Sequence, residues 1–120
     1  MKLTGGILAG VVALLHIYFL ILEMFLWTKP LGLKVFRQSL EKAQASEVLA
    51  ANQGLYNGFL AGGLVWGLVH PDAVFGRQLL LFFLGCVFIA GLFGAKSVNK
   101  RIFFVQALPA LLAALCLILD

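Results

Sequence analysis

Apolar residues run along the chain in four long blocks, roughly 5–27, 48–69, 78–95 and 102–119, parted by short polar stretches. Each block is about 18–23 residues, the length a helix needs to cross ~30 Å of hydrocarbon. A segment in that medium must satisfy its own backbone N–H and C=O groups, so each block is expected to be helical. The pattern predicts an all-α fold: a four-helix transmembrane bundle forming a single integral membrane domain over residues 1–120. A cleaved signal peptide does not fit the first block, which is too long, carries His16 and Glu23, and is followed by no A-x-A site.

The first connecting loop has a pattern of its own. In LGLKVFRQSLEKA, Leu33, Phe36, Leu40 and Ala43 recur at helical spacing, with Lys34, Arg37, Glu41 and Lys42 elsewhere on the wheel. Pro30 suits a helix start. The stretch reads equally as a short interfacial helix and as an extension of the second span.

Composition strengthens the membrane reading. Hydrophobic residues make up 62% of the 120 and charged residues 12%, about half the charged share of a soluble domain. The charges are unevenly placed. Lys29, Lys34, Arg37 and Lys42 lie between the first two blocks and Lys96, Lys100 and Arg101 between the last two, against Lys2 and Arg77 on the other side. The positive-inside rule then makes both basic loops cytoplasmic and puts both termini outside. Trp27 and Trp66 stand near block ends, where aromatic belts form. The basic loops are matched to a lipid bilayer rather than to nucleic acid. Cys86 and Cys116 sit in apolar runs and are expected to behave as small hydrophobes.

The second block opens with ANQGLYNGFLAGG at 51–63, a polar cluster inside a span. At 100° per residue, Asn52, Gln53, Tyr56 and Asn57 share an arc of about 140°, while Gly54, Gly58 and Gly62 share another of about 80°. The glycine arc suits close helix approach, to another helix of this chain or in a homo-oligomer. In the first block His16 and Glu23 are seven residues apart and about 20° apart on the wheel, with Trp27 on the same face. Glu23 lies about 10 Å to the cytoplasmic side of the span's middle, a costly depth at which ionisable residues face a bundle interior or cavity. Asn52, Gln53, Tyr56 and Gln106 fall in the same half of their spans, with His16 and Asn57 near the middle. These depths predict a cytoplasmic-side polar pocket formed by Glu23, Trp27, Asn52, Gln53, Tyr56, Asn57 and Gln106. Pro109 in the fourth block leaves the Val105 carbonyl without its usual donor.

The pattern offers no H-E-x-x-H, C-x-x-C, nucleophile elbow or P-loop, so neither a metal nor a cofactor is expected. Desolvation disfavours a charged carboxylate at Glu23, and a protonated or proton-exchanging carboxyl is expected there. Three functions fit. The first is binding or transport of a small molecule with proton linkage through Glu23. The second is a membrane-embedded enzyme acting on a lipophilic substrate, with His16 and Glu23 as acid and base. The third is a structural or assembly subunit whose polar side chains fix helix register.

The blocks HIYFLILEMFLW at 16–27, ANQGLYNGFLAGGLVWGL at 51–68, AGLFGA at 90–95 and VQALPALLA at 105–113 resemble those of a small bacterial four-span membrane family known only as a domain of unknown function. The resemblance implies a four-helix inner-membrane protein and brings no activity, substrate or catalytic residue with it. Small multidrug-resistance exporters are similar in length, span number and a first-span glutamate, by analogy alone. The four-span glutathione-and-eicosanoid enzymes differ, since AANQGLYN lacks their arginine and acid.

Overall fold

The computed structural model describes residues 3–119; Lys2, counted above among the outer charges, lies outside them. The described residues form six α-helices and one π-helical segment. These are α1 Leu3–Met24, α2 Pro30–Phe36, α3 Leu40–Ala45, α4 Glu47–Val69, α5 Ala73–Ser97, the π segment Phe103–Ala107 and α6 Leu108–Ile118. The fold is all-α, as the pattern predicts.

Among the described residues two of the helices on the four expected spans, α1 and α5, are long and apolar enough to cross a membrane. The 23-residue α4 is long enough, but Asn52, Gln53, Tyr56 and Asn57 dilute its apolar character. The last block is divided: α6 has 11 residues and follows five in π geometry. Pro109 accounts for that division. A π turn pairs a carbonyl with the fifth residue on rather than the fourth, as in the Leu108 N–H to Phe103 carbonyl bond. The donor that proline lacks is then no longer required of it.

The first loop is neither one interfacial helix nor an extension of α4. Pro30 occupies the first turn of α2, where its missing N–H costs nothing. α2 ends at Arg37, whose φ of 52° and ψ of 52° are left-handed, a stop signal more usual for glycine. Ser39 then opens α3 by accepting the Lys42 N–H at 3.2 Å. Ser46 separates α3 from α4.

The chain divides into two compact units, Met1–Leu14 with Leu60–Asp120, and Leu15–Phe59. The core of the larger unit holds Ala9, Val12, Ala13, Leu64, Leu80, Leu84, Val87, Ala110, Ala113 and Leu117. Its last two long helices run antiparallel. A Cβ at Gly94 would meet Ile102, and one at Gly91 would meet Ala107. At the far end Arg77 Nε donates to the Leu117 carbonyl at 2.9 Å, which puts a cation at the negative end of α6. Asp72 caps α5 by accepting the Val74 and Phe75 N–H groups at 2.9 and 3.0 Å. Both cysteines are free.

Two glycines of α5 are expected to respond oppositely to alanine. Nothing stands within 4 Å of a Cβ at Gly85, whereas one at Gly91 would lie 2.5 Å from the Ala107 amide nitrogen. Gly85→Ala should raise stability by about 0.5–1 kcal/mol through backbone entropy. Gly91→Ala should lower it by roughly 1–3 kcal/mol. Thermal unfolding in detergent measures both, and equal effects would contradict this packing.

Candidate functional site

The smaller unit brings the second half of α1 against the first half of α4. A Cβ at Gly54 would stand 3.1 Å from Glu23 Cβ and 3.3 Å from the Leu20 carbonyl, and one at Gly58 would stand 2.7 Å from Leu20 Cδ1. The two helices are therefore antiparallel and close, and the missing side chains at 54 and 58 make room for α1 of the same chain. Gly62, the third residue expected on that face, has nothing within 4 Å.

On this contact Glu23 and Asn57 are both buried, at 3% and 8% exposure. Asn57 Nδ2 donates to Glu23 Oε1 at 2.5 Å, while Gln53, beside Gly54 in sequence, is exposed. Gly54 is what permits this approach: any side chain there would separate the residues on either side of it from Glu23. The result is a carboxyl enclosed in an apolar helix pair and held by the Asn57 amide. Such a group can accept hydrogen bonds, and can hold or exchange a proton.

His16 is fully buried on the same α1 face, with its ring edge-on to Phe19 at 5.3 Å between centroids. It stands about 10 Å along the helix from Glu23. Trp27 has a different employment from the expected one. Its indole N–H donates to Ser46 Oγ at 3.2 Å and its ring packs on Phe36 at 4.7 Å, so it ties the α2–α3 segment to the end of α1. Ser46 is a residue that the sequence pattern did not single out; its place just before a long helix was the available signal.

Asn52 and Tyr56 do not join Glu23. Both are exposed, Tyr56 by 59%, and among the described residues the Asn52 side chain makes no hydrogen bond. The reason is angular. Ala50, Gly54 and Asn57 are buried, which centres the inward face of α4 between the polar arc and the glycine arc. Asn57 and Gln53 lie at the inward edge of the polar arc, and Asn52 at its outer edge. Gln106 belongs to the larger unit, within the π segment, and is partly buried. That unit also carries a recess of about 320 Å³ bounded by Ala95, Lys100, Phe103 and Phe104, a grouping absent from the expected site.

A family model described as "Protein of unknown function (DUF1304)" matches residues 10–118. The chain is also similar to the uncharacterized protein YpaA of Lactococcus lactis subsp. lactis (strain IL1403), at 32% identity over 117 residues, which cover 94% of this chain and 95% of that protein. No solved structure is a significant match.

Proposed function

This chain belongs to the DUF1304 family of proteins of unknown function, and from that premise we propose that it is an integral protein of a bacterial inner (plasma) membrane which binds or transports a small molecule with proton linkage at Glu23. The observation that carries the proposal is the inversion of polarity around α1. Ile7, Val11, Leu14, Tyr18, Ile21 and Phe25 are exposed along one side, while His16 and Glu23 are buried on the other. Water favours the opposite arrangement, and large exposed apolar surfaces mark contact with a membrane or partner. A buried carboxyl in such a chain is a functional-site candidate by default.

In this reading α1, α4, α5 and the last helix with its π segment make a four-helix transmembrane bundle. The basic loops around Lys34 and Lys100 face the cytoplasm and both termini face outward. The bacterial relative supports the assigned membrane. The Glu23–Asn57 bond also favours a second reading, a structural pair that fixes the register of α1 against α4.

Infrared difference spectra across a pH titration, with the protein in vesicles, separate the two. Proton linkage predicts a titrating carboxyl band that Glu23→Gln removes. It also predicts faster loss of an imposed pH gradient than in protein-free vesicles, with the excess abolished in the same variant. Identical spectra and identical gradient decay in wild type and variant would leave the structural pair as the function of Glu23.

A further inference from the structure

The recess in the larger unit has no part in the Glu23 site, and its chemistry changes from one end to the other. Ala95 comes from the end of α5, Phe103 and Phe104 from the start of the π segment, and Lys100 from the turn between them. That turn is held by its own hydrogen bonds. The Gly94 carbonyl accepts the Val98 and Asn99 N–H groups at 2.9 and 3.1 Å, and Asn99 Oδ1 accepts the Arg101 N–H at 2.8 Å. The backbone of Lys100 is thereby fixed at the turn end of the recess. Phe103 and Phe104 follow roughly 5 Å further along the helix axis, with their rings edge-on at 5.3 Å between centroids and Phe104 64% exposed. Lys96, Lys100 and Arg101 are also exposed. Among the described residues the unit's one carboxylate, Asp72, caps the other end of α5, a helix of 25 residues. That is about 37 Å away, several times the ~8 Å over which charges act through physiological salt. Three cations therefore surround the turn with no counter-charge in their own unit.

We infer that this recess seats an anionic phospholipid, with the headgroup phosphate on Lys100 and the upper acyl chain on Phe103 and Phe104. The inference rests on the membrane reading above. In that reading the turn lies at the cytoplasmic interface, where the inner leaflet presents phosphate at the level of the turn and hydrocarbon beneath it. The recess presents an ammonium and then aromatic surface in the same order. A soluble anion would meet Lys100 and leave both rings against water, whereas a lipid satisfies the two ends together. The volume of about 320 Å³ lies at the small end of the ~300–1,000 Å³ of ligand pockets. It suits the glycerol and first methylenes of a lipid whose remaining chain stays in the bilayer. Basic pockets on the cytoplasmic side of membrane helices take anionic headgroups for this electrostatic reason.

Native mass spectrometry of the full chain, released from detergent with phosphatidylglycerol or phosphatidylcholine of matched acyl chains, tests the inference. The wild type should retain one phosphatidylglycerol more tightly than phosphatidylcholine. Lys100→Gln should weaken phosphatidylglycerol about fivefold, the effect of one basic side chain near an anionic lipid, with little change for phosphatidylcholine. Ala95→Leu fills the recess while keeping every charge, and should weaken both lipids. Lys34→Gln removes an equally exposed cation from the other basic loop and should leave the tightly held lipid in place. Equal losses from Lys34→Gln and Lys100→Gln would reduce the effect to general surface attraction and overturn the inference. Displacement of the lipid by millimolar glycerol phosphate would also overturn it, by making the site one for a soluble anion. So would unchanged retention in both Lys100→Gln and Ala95→Leu. Carbonate extraction identifies which reading has failed. Release by carbonate contradicts the membrane reading and the lipid site with it, whereas a retained protein with no preference for phosphatidylglycerol contradicts the lipid site alone.

Discussion

Replacing Gly32 with alanine is expected to displace the whole α2–α3 segment from the end of α1, the largest effect of any single methyl addition in the smaller unit. A Cβ at this position would collide with the Leu26 carbonyl oxygen, and would lie 2.9 Å from that carbonyl's carbon and 3.0 Å from the Trp27 carbonyl oxygen. Flexible side chains can move aside for a methyl group; these atoms are backbone, and their own hydrogen bonds hold them. Leu26 O accepts the Lys29 N–H at 3.0 Å and so closes the turn between α1 and α2. Relief has to come from moving α2, which takes Phe36 off the Trp27 ring and strains the Trp27–Ser46 bond. Overpacking at rigid sites costs about 1–3 kcal/mol and sometimes more, and Gly32 belongs at or above the top of that range. In a Trp66→Phe background, Trp27 fluorescence should shift and its thermal transition should fall well below the parent's. An unchanged emission maximum and transition would show that α2 does not rest on the Leu26 carbonyl.

The long helices were legible because an apolar run of about twenty residues favours helix in lipid and in a packed core alike. The expected blocks at 48–69 and 78–95 accordingly fall within or upon α4 and α5. Membrane crossing was less legible than helicity, since it depends on polarity along the whole segment. The same Asn52–Asn57 cluster that marks α4 as interesting also lowers its claim to be a span. The division of the first loop turned on Arg37, which adopts a left-handed conformation that its residue type does not advertise.

The site was half legible, for a geometric reason. Periodicity gives angles between residues of one helix, and it placed Asn52 through Asn57 on one arc correctly. It does not say which direction on the wheel points inward. That direction is set by where α1 lies, and α1 lies against Gly54, so the arc is cut by the boundary of the interface. Asn57 falls inside and Asn52 outside. Reading glycine at 54 as the centre of contact, with its flanks sorted by angle from it, would have separated them.

Removing either member of the Glu23–Asn57 pair alone should be more damaging than removing both together allows by simple addition. Glu23→Leu leaves the Asn57 amide buried with its acceptor gone, and Asn57→Leu leaves the carboxyl with its shortest bond gone. Each single loss exposes the partner's desolvation penalty, about 1–3 kcal/mol for a buried polar group. The double Leu variant abolishes both penalties and offers apolar contacts in their place, so its cost should fall short of the sum by roughly 1–2 kcal/mol, at the upper end for hydrogen bonds between membrane helices. Unfolding in a mild detergent series measures the cycle, and strict additivity would show that the two side chains do not act as a pair. Glu23→Gln completes the test, because its amide oxygen can still accept from Asn57 Nδ2. It should keep most of the stability that Glu23→Leu loses. Stability retained together with loss of the titrating carboxyl assigns the hydrogen bond to structure and the proton to function, within one side chain.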